Sequence, residues 1–228
     1  MENAADAGVK PGKQKVVRPY SVGEEVANSI IHGIGIALSI AALTMLVMLG
    51  AMSGSSAKLG AGIVYGISLV LEYTASTLYH SFPWPRAKHV FKILDHCGIY
   101  ILIAGSYTPF CLVTLADDGG LWLFGLVWLI AAIGISVEAL WAYRPRWLSV
   151  LIYLAMGWIA ILMIGPLTEN LAPGGLRLLV AGGLAYTVGT IFYVLKRVPY
   201  MHAIWHLFVL AGSVLHFLAV VLFVMPPY

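Results

Sequence analysis

The sequence contains very little charge. Only 10% of its 228 residues are charged, whereas 61% are hydrophobic and the mean hydropathy is +0.91. A soluble globular domain averages about 25% charged residues, so this composition excludes a protein that folds mainly in water. The net charge is only +3, and no extended basic domain is present. Nucleic acid is therefore not expected as a partner.

Cysteine is also scarce, and the sequence shows no signal peptide. Cys97 and Cys111 lie on one predicted helix, about 21 Å apart at 1.5 Å per residue, which is too far for a disulfide. No CxxC metal motif is present either. The basic first segment is not followed by an apolar core with a cleavage site. Residues 1–20 are therefore predicted to form a disordered cytosolic tail.

Long apolar runs dominate the rest of the chain. A bilayer core of ~30 Å needs about 20 apolar residues per helical crossing, and the runs show none of the alternation typical of barrel strands. We therefore predict an all-α, polytopic domain over residues 21–228. Its seven predicted spans are Asn28–Met52, Leu59–His80, Ile93–Leu115, Leu121–Tyr143, Trp147–Thr168, Gly174–Leu195 and Met201–Val224.

The positions of lysine and arginine predict the orientation of these spans. A cytoplasmic N-terminus places all 13 basic residues inside except Lys58 and Arg177, in agreement with the positive-inside rule. After seven crossings, the C-terminus is predicted to be extracytoplasmic.

Polar residues cluster near the predicted cytoplasmic ends of three spans. His202 and His206 stand at i and i+4, so their side chains share one helix face about 6 Å apart, a spacing that suits two ligands of one metal ion. Ser76 and His80 have the same spacing at the end of the second span, and Asp95 opens the third. Intramembrane ionisable residues are costly and are candidates for function. The topology brings all five residues to the same membrane surface.

Three histidines with an open fourth position are typical of a catalytic zinc site. Asp95 is then placed to orient the activated water and to take its proton. A simpler interpretation is that each buried histidine only satisfies a local hydrogen bond. The convergence of three spans at one depth favours the metal site.

Five short motifs stand in order along the chain: Glu25-x-x-Asn28-x-x-x-His32-Gly33, Ser76-Thr77-Leu78-Tyr79-His80, Leu94-Asp95-His96, Ala104-Gly105-Ser106-Tyr107-Thr108-Pro109 and His202-x-x-x-His206. In this order they resemble the hemolysin III family, the bacterial branch of the progestin and adipoQ receptor superfamily, which is distantly similar to alkaline ceramidases. The resemblance implies a bacterial cytoplasmic-membrane protein with zinc held by His80, His202 and His206. It also implies that Ser76 and Asp95 lie beside the water that zinc activates.

Other polar residues allow more than one interpretation. Glu25, Asn28 and His32 share one face at the start of the first span, where they support the metal ligands, contact substrate, or only form a polar helix start. Glu72 shares a face with His80 about 12 Å deeper. It is either a proton relay, the polar end of a substrate cavity, or a hydrogen-bonded acid inside the bundle, and the last is favoured.

Three further residues are predicted to lie outside the metal site. His96 points about 100° away from Asp95 on the helix and is expected to be a packed or interfacial histidine, while His216 lies ~15 Å beyond His206, too far to share its metal. Glu138 is expected to extend toward Arg144.

The residues are compatible with three functions. The first is a zinc-dependent hydrolase, such as a ceramidase-like amidase, that cuts an amide or ester of a membrane lipid at the cytoplasmic leaflet. The second is a non-enzymatic sensor or regulator of membrane homeostasis in which zinc is structural; a closed coordination shell would distinguish it from the enzyme. The third is a cytolytic pore, which ranks last because so few polar residues are available to line a hydrated channel.

Overall fold

The computed structural model describes residues 20–141, 146–195 and 198–226. Apart from Tyr20, the predicted tail lies outside these residues. The described chain is helical and contains no strand. Its helices are α1 (Val22–Met52), α2 (Ser56–Ser81), α3 (Pro85–Pro109), α4 (Gly120–Leu140), α5 (Arg146–Trp158), α6 (Ile164–Asn170), α7 (Pro173–Val194) and α8 (Met201–Phe223).

Within the described ranges, seven helical stretches are long and apolar enough to cross a membrane. One of them, Trp147–Asn170, combines α5 and α6 with the short 3₁₀ helix Ile159–Met163 that joins them. The predicted all-α, seven-span architecture is confirmed. Large apolar side chains such as Ile34, Leu38 and Leu129 are exposed, as expected for surfaces that face lipid.

The third span begins earlier than its apolar run indicated. α3 starts at Pro85, not at Ile93, and its first two turns carry Lys88 and Lys92. Proline favours the first turn of a helix because its missing N–H would have no partner there. Asp95 therefore lies in the third turn of α3 instead of opening the span.

The first span also begins earlier, at Val22 instead of Asn28. Ser21 and Glu24 form a capping box: the Ser21 hydroxyl accepts the Glu24 N–H at 3.3 Å, and the Glu24 carboxylate accepts the Ser21 N–H at 2.8 Å. This pair satisfies two backbone donors that a helix start otherwise leaves free. As a result, Glu25 and Asn28 lie inside the regular helix.

Glycines allow α1 and α2 to pack closely. Gly35 faces the ring of Tyr73, and Gly50 faces the backbone of Leu59, so closely that a Cβ atom at either glycine would clash. Small residues at helix contacts are the usual means of close packing in membranes. α8 packs beside α7 and also against α1, so the last helix of the described residues lies next to the first.

The fifth span is interrupted where the sequence predicted one continuous helix. The α-helix stops at Trp158, and a 3₁₀ turn follows. Tyr107 of α3 supports the break: its hydroxyl donates to the Gly157 carbonyl at 2.7 Å and accepts the Ala160 N–H at 3.0 Å. A side chain that inserts into the helical hydrogen-bond ladder is an established cause of such interruptions.

Candidate metal centre

Three histidines from two distant helices meet at one end of the bundle. His80 lies in the last turn of α2, while His202 and His206 occupy the first two turns of α8. One ring nitrogen from each lies within 4.8 Å of the other two. All three residues are at most 7% exposed. The structure therefore brings together the three predicted ligands, at a spacing that could hold one metal ion.

The spacing of one pair of nitrogens matches that of ligands on a zinc ion. The Nε2 atoms of His80 and His206 are 3.2 Å apart. Two nitrogens bound to one tetrahedral zinc at ~2.0–2.1 Å would lie about 3.3 Å from each other. The three-imidazole donor set is one that zinc commonly binds.

A carboxylate orients His80. Its Nδ1 donates to Glu25 Oε2 at 2.6 Å, and the amide nitrogen of Asn28 lies 3.3 Å from the same Nδ1. Lys88 reaches the other oxygen of Glu25, also at 2.6 Å. Because Nδ1 carries the proton, Nε2 keeps its lone pair for a metal. A carboxylate behind a histidine is the usual outer support of a metal ligand.

The start of α8 depends on Glu24, which sequence reasoning passed over. Tyr200, just before α8, has a positive φ of 64°, which is uncommon outside glycine. Its backbone N–H donates to Glu24 Oε1 at 3.0 Å. Glu24 thus connects the first helix to the turn that precedes His202. Only its place in the capping motif Ser21-x-x-Glu24 signalled a structural role, and that signal concerned α1 alone.

Two further aromatic rings surround the histidines. Tyr20 stacks on His202 with ring centres 5.0 Å apart. His32 of α1 meets His206 edge to face, with ring centres 3.7 Å apart. Both ring nitrogens of His32 are enclosed and have no hydrogen-bond partner among the described residues. Of the three polar residues predicted on the face of α1, Glu25 and Asn28 therefore contact His80, and His32 contacts His206.

Asp95 and Ser76 occupy different surroundings. Asp95 is 6% exposed and lines the large cavity beside the three histidines. Ser76 lies one turn before His80 and is completely enclosed, and its hydroxyl has no hydrogen-bond partner in the described part of the chain. Unlike Asp95, Ser76 does not line that cavity. The catalytic roles assigned to both residues stay predictions.

The cavity has a volume of about 890 Å³ and extends from the histidines into the bundle. The end near the three histidines is lined by Tyr20, Glu25, Lys88 and Lys92, and farther inside are Leu102, Ile103, Tyr186 and His216. Ligand pockets for drug-sized molecules measure roughly 300–1,000 Å³. The space is therefore adequate for a ligand larger than water.

His96 belongs to a second polar group, which sequence reasoning missed. Its Nδ1 donates to the buried carboxylate of Glu138 at 2.6 Å, and Ser149 donates to the other oxygen at 3.3 Å. The expectation that Glu138 extends toward Arg144 involves a residue outside the described chain. His96 is not among the candidate metal ligands, in line with its expected place outside the metal site, but its bond to Glu138 and its position on the cavity wall were not predicted.

Comparison with known proteins identifies the family. The family model described as Haemolysin-III related matches residues 20–217. This protein belongs to the haemolysin III-related family. It is 46% identical to Hemolysin-3 of Bacillus cereus over 205 residues, which cover 90% of this chain and 94% of that protein. It is 43% identical to the Hemolysin-3 homolog of Bacillus subtilis (strain 168) over 204 residues, 90% and 96% of the two chains.

A more distant relative is human. Monocyte to macrophage differentiation factor of Homo sapiens is 31% identical over 165 residues, 69% of this chain and 67% of that protein. No solved structure matches the chain. The resemblance found in the sequence motifs is therefore confirmed at the level of the family.

Proposed function

We propose that this haemolysin III-related protein is a zinc-dependent hydrolase that cuts the amide or ester bond of a membrane lipid. The observation that carries the proposal is the position of the three histidines at one end of a lipid-sized cavity that Asp95 also lines. A metal site that only holds helices together needs no such space. A catalytic site needs an open position and room for substrate.

Each residue has a distinct task in this proposal. His80, His202 and His206 would hold the ion, and Glu25 would keep His80 in the tautomer that binds it. Bound there, zinc would polarise the substrate carbonyl and make water acidic enough to attack at neutral pH.

The remaining steps belong to the protein itself. Asp95 would take the proton of the attacking water, as a general base. Ser76, whose enclosed hydroxyl lacks a partner, would donate to the water or to the oxygen that gains charge. Tyr20, stacked on His202, would limit the access of bulk water to this end of the cavity.

The proposal also includes an orientation. With a cytoplasmic N-terminus in the bacterial cytoplasmic membrane, the histidines face the cytoplasmic side and lipid enters from the cytoplasmic leaflet. We expect an N-terminal tag to be protected from external protease in intact cells, and a C-terminal tag to be cleaved. Both tags reacting alike would contradict an odd number of crossings.

The activity itself can be measured on purified protein in lipid nanodiscs. We expect release of fatty acid from at least one class in a panel of amide and ester lipids with several headgroups. Chelation should abolish this release and added zinc should restore it. His89→Ala is the matched control, because His89 is exposed and does not line the cavity. Release that is unchanged in His80→Ala would contradict the proposal.

A regulator with a structural metal is the second candidate. The near-complete burial of the three histidines favours it, because structural zinc sites are closed. The word hemolysin belongs to the names of the relatives, and cytolysis by this chain is a third proposal. It predicts dye leakage from vesicles without any lipid hydrolysis.

A further inference from the structure

The inner part of the cavity contains polar groups far from the metal centre. Glu72 precedes His80 by eight residues on α2, and His216 follows His206 by ten on α8. At 1.5 Å per residue, they lie about 12 and 15 Å deeper than the two ligands. Half of a ~30 Å hydrocarbon core is ~15 Å. Both residues line the same cavity. With the three histidines at the cytoplasmic edge of the hydrocarbon core, as the proposed orientation has them, Glu72 and His216 would face the cavity near the bilayer midplane.

His216 offers an acceptor to this space. Its Nδ1 donates to the Gly212 carbonyl at 2.9 Å, so Nε2 carries the lone pair. The ring borders the large cavity and a smaller neighbouring one of about 80 Å³. On its other side the ring packs against Gly182, where a Cβ atom would overlap Nδ1. A glycine at this position thus makes room for the imidazole.

Glu72 also has a polar atom that faces a glycine of a neighbouring helix. It is 2% exposed, and its Oε2 is enclosed without a hydrogen-bond partner in the described structure. Oε2 packs on Gly98 of α3, where a Cβ atom would overlap it. None of the ion pairs in the described ranges involves Glu72. A buried polar group without a partner is costly and calls for a ligand or an ordered water.

A hydrogen-bonded cluster lies at the same level as these two residues. The hydroxyl of Tyr73, next to Glu72 in sequence, donates to Ser213 Oγ at 2.8 Å. Tyr186 of α7 bonds the same Ser213 oxygen at 2.8 Å, and its ring lies 5.5 Å from that of His216. Helices α2, α7 and α8 are thus connected by hydrogen bonds at this depth, beside the two inner polar residues.

We propose that Glu72 and His216 form a hydroxyl-binding site for the distal half of a lipid acyl chain whose carbonyl end lies at the metal centre. A chain that reaches the midplane brings a hydroxyl on its distal half to this depth. Such a hydroxyl donates to His216 Nε2 or to the Glu72 carboxyl. An ammonium group is disfavoured, because placing a full charge at the midplane is much more costly. The inference rests on the proposed entry of lipid into the cavity.

The test uses fatty acids as probes on the full-length protein in detergent. Displacement of a fluorescent fatty acid gives the dissociation constants of stearate, 2-hydroxystearate and 12-hydroxystearate. We expect 12-hydroxystearate to bind roughly 10-fold more tightly than the other two, the gain typical of one or two net hydrogen bonds. Equal affinities for the three acids would overturn the proposal and leave water as the occupant of the inner site.

Substitutions at the two residues test whether they cause the preference for 12-hydroxystearate. His216→Leu, which removes the acceptor at similar volume, should lose the preference while its affinity for stearate stays within about twofold. His216→Gln retains a hydrogen-bond acceptor and should therefore retain part of the preference for 12-hydroxystearate. Thermal unfolding of each variant checks its fold; should His216→Leu not fold, Glu72→Leu supplies the same comparison. A full preference in folded His216→Leu would refute the assignment.

One variant separates this site from the metal centre. His202→Ala should weaken all three acids alike and leave their ratio unchanged, because the hydroxyl lies ~12–15 Å from the ligands by helical rise. If the protein prefers 12-hydroxystearate but hydrolyses no lipid, the inner hydroxyl site is supported and the hydrolase proposal is contradicted. If the protein hydrolyses lipid but binds the three acids equally, only the proposal of the inner site is contradicted.

Discussion

Purified His202→Ala and His206→Ala proteins are expected to contain less than about a tenth of the zinc bound by the unmodified protein, which should bind close to one equivalent per chain. Removing even an outer partner of a ligand typically costs 10–100-fold in metal affinity, and removing the ligand itself costs more. Each histidine supplies one of the three nitrogens that lie within 4.8 Å of one another. Elemental analysis of protein purified without added metal gives the ratio.

His216→Ala is the control for this experiment. His216 is buried in the same helix and lines the same cavity, but it is about 15 Å beyond His206 along the helix axis. We expect it to retain the full zinc content. Comparable zinc loss in all three variants would show that the ligands are misassigned or that the loss follows from general unfolding, which a melting curve identifies.

The Asp95→Asn variant is expected to retain zinc and thermal stability but to lose lipid hydrolysis by roughly 100-fold or more, the usual size of a general-base contribution. Asparagine preserves the shape and much of the hydrogen bonding of aspartate, whereas it cannot accept the proton of the attacking water. Asp95 is not one of the three residues whose ligand atoms lie close enough together to share an ion. Turnover, zinc content and melting temperature should be measured on the same preparation.

The outcome of this experiment distinguishes the two main functions. If the metal is only structural, Asp95→Asn should leave any cellular phenotype of the protein nearly intact. His80→Ala should abolish that phenotype by destabilising the bundle. Several headgroups and both amide and ester bonds belong in the assay, because one inactive lipid does not test the class. Zinc loss in Asp95→Asn equal to that in His80→Ala would contradict both functions and make Asp95 a ligand.

The sequence predicted those parts of the structure that follow from spacing along a single helix. The spacing of His202 and His206 places them on one face whatever their neighbours are. Composition predicted the seven spans, because the bilayer sets the length of a crossing. Because the chain reverses direction at each span, the end of the second span and the start of the seventh were predicted at the same membrane surface. This placed His80 at the level of the other two histidines. These arguments needed no knowledge of side-chain contacts.

Contacts between helices could not be predicted in the same way. The bond from Tyr200 to Glu24 depends on a left-handed turn and on the packing of α8 against α1. The pairing of His96 with Glu138 depends on how α3 and α4 are rotated about their axes. The polar first turns of α1 and α3 were excluded from the predicted spans because only apolar runs were counted. Helix ends follow from capping and proline, which hydropathy does not measure.

The junction of Glu24 with Tyr200 has a consequence for biosynthesis. His80 belongs to α2, while His202 and His206 belong to α8, which is synthesised after the five helices between them. Glu24 of α1 can therefore bond Tyr200 only after these intervening helices have been made. An ion held by all three histidines would be bound completely only once α8 lies beside α2. A chain truncated before α8 would lack two of the three candidate ligands and should retain correspondingly little metal.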